Sequence, residues 1–399
     1  MTHDYLRAAQ DMTEPLAGFL AAIVGIRSLS REEGAVIGRI REEMERLGYD
    51  EARVDPMGNL IGRIGHGPVA VAIDGHCDTV DSGDPAQWEG DPFAPARGGG
   101  FLRGRGVVDQ KGGLAAAVYA GGLLKQCGIP NNVSLYVVAS VQEEDCDGQC
   151  WQYIVEQDGI RPGVVVLTEP TSLRIYRGHR GRMEIEVATK GISAHGSAPE
   201  RGVNAIYRMA PIVSAIEELN SKLPSLAPFG KGSVTISQIR SRSPSLCAVA
   251  DGCVIHLDRR LTSGETDATA VAEIAALPAV RAAGGEVSVL EYREPSYTGL
   301  VYPVRKYYPT WELPEAAPEV QCARRACQAA FGTPPEVGFW TFSTNGVATA
   351  GKFGIPTIGF GPGEERQAHA PNERIAIDQL PSATAFYAAF VEAYADSPR

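Results

Sequence analysis

Apolar and polar positions alternate with two different periods along the first part of the chain. Helical periodicity predicts helices over residues 4–28 and 31–47. Ser30 and Glu33 fit a capping box for the second helix, and Gly48 fits its end. Short apolar runs predict strands near 52–64, 69–75, 133–141 and 163–168. Helical patterns lie between the later strands and predict helices near 112–127 and 148–158.

Strands that alternate with helices are typical of a layered α/β domain with a mainly parallel central sheet. The pattern changes near residue 178, where it predicts strand, helix, two strands, helix and strand as far as 292. That order is the β-α-β-β-α-β order of a ferredoxin-like α+β arrangement. We therefore predict one larger domain formed by residues 1–177 and 293–399, with a small domain of residues 178–292 inserted into it.

Composition indicates an ordinary soluble globular protein. The chain has 399 residues, of which 44% are hydrophobic and 21% charged. A formal net charge of -11 argues against a nucleic-acid partner. The apolar run 16–26 follows acidic residues rather than basic ones, and no run is long enough to span a bilayer, so we expect no membrane association and a cytoplasmic location. The eight cysteines are expected to be free thiols.

His76 and Asp78 lie at the end of the apolar run that starts at Val69. In extended backbone, residues i and i+2 point to the same side of the chain, so these two side chains can lie together. A histidine that binds a metal commonly has its second ring nitrogen held by a carboxylate or a carbonyl. The His-x-Asp triplet therefore supplies a candidate metal ligand and its partner.

Four further segments place acidic or histidine side chains just beyond apolar runs or before a helix. These side chains are Asp109, Glu143 with Glu144, Glu169, and His369. Ligands of α/β sheets bind outside the carboxyl ends of the strands, so we expect these side chains to converge. Histidines and carboxylates together suit zinc, with manganese or cobalt as substitutes, and this many carboxylates suits two ions with a shared ligand. The glycine-rich run 104–113 lacks the spacing of a nucleotide-binding loop.

Six motifs carry a resemblance to a known family, and in chain order they are GHCDTV, GRGVVDQKGG, VQEEDCDG, TEP, SAHGSAP and HAPNE. With these motifs the chain resembles the acetylornithine deacetylase, succinyl-diaminopimelate desuccinylase and carboxypeptidase G family of zinc hydrolases. The stretches RGHRGRMEIEV, LDRRLTSGET, YPTW, FSTNGV and GFGPG are similar to its selenium-metabolism-associated hydrolase branch.

The resemblance implies a role for each metal-site residue. One zinc ion would be held by His76, Asp109 and Glu169, and the second by Asp109, Glu144 and His369, with Asp109 bridging the two ions. Asp78 would be the partner of His76, and Glu143 would be the general base that activates water. The resemblance also implies a cis peptide bond between Asp109 and Gln110.

Further residues would act from the inserted domain, which in the family mediates dimerisation and covers the active site. His195 would stabilise the tetrahedral oxyanion in the partner subunit of a homodimer. Arg260 is a candidate clamp for a substrate carboxylate, and Asn204 could support it. A salt bridge for Arg260 and a helix cap for Asn204 are equally compatible with the sequence.

Two departures from the family pattern bear on the substrate. Many relatives have a charged Thr-Asp-Ala-Arg segment where this chain has Ser343-Thr-Asn345-Gly, so we expect a different acyl group or side chain to be accepted. The segment around His195 reads HGSAP instead of the commoner HAAYP-like form.

The resemblance implies a dinuclear zinc hydrolase that cleaves the amide bond of an N-acyl amino acid, a small-molecule substrate. A dipeptidase or carboxypeptidase acting on a peptide-like substrate is the first alternative. An N-carbamoyl amino acid hydrolase on the same scaffold is the second. The alternative that is not an enzyme is a catalytically silent relative that binds a ligand, and the presence of Glu143 with all five metal ligands argues against it.

Overall fold

The computed structural model describes residues 4–333 and 335–397 and divides the chain into two compact units. Unit 1 contains the chain up to Gly178 together with Glu294–Tyr302 and the segment that starts at Glu312. Unit 2 contains His179–Arg293 and Pro303–Trp311. Among the described residues, no helix combines the length and the apolar character needed to cross a bilayer.

Unit 1 is an α/β unit. The strands of unit 1 are Glu51–Val54 (β1), Leu60–Ile64 (β2), Val69–His76 (β3), Ala96–Gly98 (β4), Phe101–Arg103 (β5), Val133–Ser140 (β6), Val164–Leu167 (β7), Ile175–Tyr176 (β8), Val337–Gly338 (β20), Thr357–Gly359 (β21) and Arg374–Ala376 (β22). Unit 1 has one large sheet, with the strand order β1-β2-β6-β3-β7-β21-β8-β20. Its α-helices are Tyr5–Asp11 (α1), Thr13–Val24 (α2), Gly34–Arg46 (α3), Lys111–Cys127 (α4), Gln149–Glu156 (α5), Pro318–Phe331 (α9) and Gln379–Ala395 (α10).

The centre of this sheet is parallel, as the sequence predicts. β3 pairs in parallel with β6 and β7, and β7 pairs in parallel with β21. The strands β1 and β2 at one edge are antiparallel. Because β3, β6 and β7 are buried along nearly their whole length, they consist of continuous apolar runs rather than alternating ones.

The glycine-rich start of α4 allows this helix to approach the sheet closely. A Cβ atom on Gly113 would lie 2.1 Å from the Thr168 carbonyl oxygen, whereas a Cβ atom on Gly38 in α3 would have nothing within 4 Å. We expect Gly113→Ala to destabilise the fold by about 1–3 kcal/mol through overpacking. The matched change Gly38→Ala should stabilise it by about 0.5–1 kcal/mol. Urea unfolding of both variants checks the pair, and equal stabilities would contradict the close approach.

Three local predictions in unit 1 are wrong. Residues 52–64 form two strands, because the Asp55 carboxylate accepts the backbone N–H groups of Gly58 and Asn59 and closes a tight turn. Residues 4–28 form two helices that meet at Met12. Ser30 and Glu33 form no capping box, because neither side chain caps α3; they contact other loops instead, as described below.

Unit 2 has the predicted ferredoxin-like order. Its strands are Arg182–Lys190 (β10), Ser225–Leu226 (β11), Gly230–Lys231 (β12), Ser233–Arg242 (β13), Gly252–Arg260 (β14), Glu286–Val289 (β15), Glu291–Tyr292 (β16), Val304–Arg305 (β17) and Tyr307–Tyr308 (β18). Its α-helices are Ala205–Lys222 (α6), Asp267–Ala276 (α7) and Pro278–Ala283 (α8), and the short strands Gly178–His179 (β9) and Trp311–Glu312 (β19) lie where the chain passes between the units.

Alternating side chains of the unit 2 sheet form its core. The antiparallel order β13-β14-β10-β15 places Met183, Ile185 and Val187 on a buried face together with apolar residues of α6 and α7. One boundary differs from the sequence prediction, which assigned every residue after 292 to the larger domain. Pro303–Trp311 belongs to unit 2, because β18 pairs with the start of β10.

Candidate metal centre

The parallel centre of the unit 1 sheet brings three predicted ligand segments to one edge. His76 is the last residue of β3, Glu143 and Glu144 follow β6, and Glu169 follows β7. Because these strands are parallel neighbours, their carboxyl ends meet. Their polar side chains therefore share one region of the unit.

Asp109 and His369 reach the same region from loops. Asp109 lies two residues before α4, and the Asp109–Gln110 peptide bond is cis, as the family resemblance predicts. His369 lies between β21 and β22 in the left-handed region, with φ 59°. A residue other than glycine is uncommon in this region and marks a position that the surrounding structure holds in place.

The Asp109 carboxylate lies between two imidazoles. Its Oδ1 atom is 3.0 Å from His76 Nε2, and its Oδ2 atom is 3.3 Å from His369 Nε2. Glu144 Oε2 is 3.0 Å from the same nitrogen of His369. One carboxylate therefore presents a separate oxygen to each histidine, which is the arrangement that a ligand shared by two ions requires.

Two more carboxylates complete the cluster around His76. Its Nε2 atom lies 3.9 Å from Glu143 Oε2 and 3.9 Å from Glu169 Oε1. Ligand atoms of His76, Glu143 and Glu169 lie within 4.8 Å of one another, and so do those of His76, Asp109 and Glu144. Ligands at 2.0–2.1 Å from one tetrahedral zinc ion lie about 3.3 Å apart, so only small shifts separate these groups from coordination.

Buried carboxylate oxygens indicate that the cluster is built for cations. Glu143 Oε1 and Glu169 Oε2 are buried and have no hydrogen-bond partner among the residues that the structure describes. Burial, together with the neighbouring carboxylates, raises the pKa of both groups well above the usual value. Unpaired buried carboxylates are destabilising, and divalent ions would neutralise them. The donor set of imidazoles and carboxylates therefore fits zinc.

The histidines respond to the same negative charge. Hydrogen bonds to the Asp109 and Glu144 carboxylates raise the pKa of His369 to about 10. Burial lowers the pKa of His76, but its hydrogen bonds to Asp109 and Asp78 outweigh this effect and raise the pKa well above the usual value. The negative charge that raises these pKa values would also attract divalent cations.

Asp78 fixes the orientation of His76 and the position of the next loop. His76 Nδ1 lies 2.9 Å from the backbone oxygen of Asp78 and 3.5 Å from its carboxylate, which leaves Nε2 for a metal. The same carboxylate accepts the backbone N–H groups of Glu143 and Glu144 at 3.2 and 3.1 Å. Asp78 thus links two of the ligand loops.

The family model for Peptidase family M20/M25/M40 matches residues 72–393, which contain the whole cluster. The chain belongs to this family. It is therefore a metal-dependent hydrolase of the M20 class, and its α/β fold with a second α+β unit is the fold of that class.

Three similar proteins show how far the M20 likeness extends. The uncharacterized protein YgeY of Escherichia coli K12 is 50% identical over 384 residues, which cover 96% of this chain and 95% of YgeY. Acetylornithine deacetylase of Klebsiella pneumoniae strain 342 is 29% identical over 325 residues, 79% of this chain and 78% of that enzyme. The structure of Bacillus subtilis YXEP, a dinuclear metal binding peptidase from the M20 family, has a TM-score of 0.69 and 14% identity, covering 96% of this chain and 98% of YXEP.

The M20 motifs also contain a buried ion pair that the sequence analysis missed. Glu373 is fully buried at the end of HAPNE, and Arg105 lies in GRGVVDQKGG. The Glu373 carboxylate accepts hydrogen bonds of 2.7–3.1 Å from Arg105 Nη1 and from the backbone N–H groups of Gly106, Val108 and Asp109. It thereby ties the His369 loop to the backbone of Asp109.

Asn345, which the sequence analysis connected with substrate choice, is a buried structural residue. Its Nδ2 atom donates to Asp74 Oδ2 at 2.8 Å and to Ser140 Oγ at 3.1 Å. Its Oδ1 atom accepts the Gly148 N–H at 2.8 Å. These contacts use both ends of the amide to join β3, β6 and the start of α5.

The other predicted site residues belong to unit 2. Arg260 forms an ion pair with Asp258 at 2.9 Å, and the Asn204 side chain caps α6 by accepting the Ile206 N–H at 2.9 Å. These are the salt bridge and the helix cap that the sequence left as alternatives. His195 is exposed, and its Nδ1 atom accepts the Ser197 N–H at 3.2 Å.

Proposed function

We propose that the protein hydrolyses the amide bond of an N-acyl amino acid with two zinc ions, for which Co²⁺ or Mn²⁺ can substitute. The observation that carries this proposal is the Asp109 carboxylate, whose two oxygens each face one histidine. The likeness to an acetylornithine deacetylase over 79% of the chain supports a deacylase. The dinuclear metal binding of YXEP, a protein of the same fold, supports two ions.

Each ion would be held by three side chains. His76, Asp109 and Glu169 would hold one, and Asp109, Glu144 and His369 would hold the other. The His369 contacts with Asp109 and Glu144, at 3.3 and 3.0 Å, support the second set directly. The Oε2 atom of Glu169, which has no hydrogen-bond partner within residues 4–333 and 335–397, supports its place in the first set.

Glu143 would be the general base. When bound, the ions supply polarisation of the scissile carbonyl and a lowered pKa for the attacking water. The Glu143 carboxylate accepts the proton of that water and delivers it to the amine nitrogen as the C–N bond breaks. Its Oε1 atom has no partner among the described residues, and burial raises its pKa, which suits a group that holds a proton between two steps.

A homodimer remains part of the proposal. The strand β13 is an edge of the unit 2 sheet, and Ile239 on it is exposed, as are Tyr207 and Leu246 of the same unit. A second copy of the chain that covers this edge would bury the apolar side chains. His195 would then act in the partner's site through the Nε2 proton, as an oxyanion donor. Arg260 and Asn204 stay candidates for the substrate carboxylate, and the cytoplasmic location stays a prediction.

Metal analysis and a substrate screen test the proposed function together. We expect about two equivalents of zinc per chain in the purified protein and amine release from N-acyl amino acids that a chelator stops. N-carbamoyl amino acids and dipeptides form the other arms of the screen, and preferred cleavage of either would replace the deacylase assignment. A protein that binds zinc but cleaves none of the three classes would be the catalytically silent relative.

A further inference from the structure

The segment Ser28–Glu33 lies between α2 and α3 and precedes residue 72, where the family match begins. The sequence analysis treated its polar residues as the start of a helix. In the structure, its side chains contact the two loops that follow β3 and β6 and carry Asp78, Glu143 and Glu144. A role for these residues therefore has to be argued from this chain itself.

The first half of the segment is bound to the loop after β3. Ser28 Oγ donates to the Cys77 carbonyl oxygen at 2.7 Å, and the Thr79 N–H donates to the Ser28 carbonyl oxygen at 2.9 Å. Ser30 Oγ donates to Asp78 Oδ2 at 2.6 Å. Since that carboxylate also accepts the N–H groups of the next loop, Ser30 orients the group that links both loops.

The second half is bound to the loop after β6. The fully buried Glu33 accepts the Gln142 N–H on Oε1 at 3.0 Å. Arg31 Nε lies 3.6 Å from Asp145 Oδ2, beyond the other end of the Glu143–Glu144 pair. The segment therefore holds this loop on both sides of the proposed base.

Two residues in these contacts, Arg31 of the segment and Gln142 of the loop after β6, have uncommon backbone conformations. Arg31 has φ 74° and Gln142 has φ 57°, and neither is a glycine. Such conformations are unfavourable and persist where surrounding contacts enforce them. The hydrogen bond between Glu33 and the Gln142 N–H is one of these contacts.

We propose that Ser30 and Glu33 are positioning residues, which hold the loop of Glu143 and Glu144 in its working geometry through Asp78 and Gln142. The inference rests on the proposed function, since it gives the loop a catalytic purpose. It adds to that function a dependence on side chains that lie 48 and 109 positions away from their partners in the chain.

Hydrogen exchange of the metal-free protein tests the positioning role without any substrate. The N–H groups of Glu143 and Glu144 bond to Asp78 and not to Glu33. If the segment holds the whole loop, Glu33→Ala should speed exchange at these two amides by about tenfold or more. Ser30→Ala, a milder change at a partly buried side chain, should act in the same direction.

Two variants serve as controls. Burial and the Asp78 charge raise the pKa of Glu33 to about 8, so at pH 7 Glu33→Gln changes little charge and keeps an oxygen for the Gln142 N–H. Glu32→Ala removes a neighbouring carboxylate that is exposed and pairs with Arg27. In both variants, the Glu143 and Glu144 amides should exchange at rates within about twofold of those in the unaltered protein. Acceleration confined to Gln142 in Glu33→Ala, or equal acceleration in Glu32→Ala, would overturn the proposal.

Kinetics provide the functional measurement. With a substrate found in the screen, Glu33→Ala should lower kcat about 10–100-fold with little change in KM, and Glu33→Gln should restore most of it. A loss that Glu33→Gln does not restore would show a merely structural role and overturn the proposal. If the unaltered protein has no turnover, the proposed function fails, whereas the exchange rates still decide whether the segment positions the loop.

Discussion

Glu143→Gln is expected to abolish turnover while both metal ions stay bound. The substitution keeps the size of the side chain but removes the carboxylate that accepts the water proton, and proton transfer of this kind contributes about 10²–10⁴-fold to a rate. In the part of the chain that the structure describes, the Oε1 atom of Glu143 has no hydrogen-bond partner that the substitution would remove. Metal content and kcat, measured on the same preparation, check both halves of the prediction.

The sequence neighbour Glu144 provides a matched comparison for this experiment. Its carboxylate contacts His369 at 3.0 Å, so Glu144→Gln removes a ligand and should lower metal affinity as well as turnover. If Glu143→Gln keeps its metal but loses turnover, and Glu144→Gln loses both, then Glu143 is the base and Glu144 is a ligand. If Glu143→Gln retains turnover within about twofold, Glu143 is not the base. If it loses metal as Glu144→Gln does, Glu143 is a ligand, as its proximity to His76 and Glu169 would also permit.

Asp109→Asn should disrupt both metal sites at once. The change replaces one carboxylate oxygen by an NH₂ group, which cannot bind a cation, and removes the negative charge between two ions. Because Oδ1 faces His76 and Oδ2 faces His369, neither site keeps its original ligand field. We expect metal content to fall from about two ions to one or fewer per chain and activity to fall below detection.

Asp81→Asn is the control for this substitution. Asp81 is an exposed aspartate five residues after His76, and its carboxylate lies 3.6 Å from Arg27 at the surface. Competition with a chromophoric chelator should give an unchanged metal affinity for Asp81→Asn and a much lower metal affinity for Asp109→Asn. Two tightly bound ions in Asp109→Asn would show that Asp109 does not bridge them.

The convergence of the cluster residues could be predicted because several of them follow strands in a simple way. His76, Glu143 and Glu169 each come directly after an apolar run, and the parallel pairing of β3, β6 and β7 brings such positions together. The combination of histidines and carboxylates then indicates a metal site. Asp109 and His369 lie in loops, where no periodicity places them, and the family resemblance was needed to give them roles.

Contacts between distant segments could not be predicted from local patterns. Ser30 and Glu33 match a capping box, yet their side chains bind partners in loops far along the chain. Buried carboxylates and backbone N–H groups in those loops require hydrogen-bond partners, whereas the exposed start of a helix can bond to water. The contacts of Asn345 are a second example. Its amide satisfies buried polar groups of two strands, which the sequence around it does not show.

The close approach of α4 to the sheet has a consequence for which ions the protein accepts. Gly113 lies four residues after Asp109 and packs against Thr168, the neighbour of Glu169, so the two backbone segments that carry these carboxylates are closely packed against each other. Calcium needs six to eight oxygens at about 2.3–2.6 Å and would push such a cage apart. We therefore expect the protein to discriminate against calcium by rigidity, even where that ion is abundant.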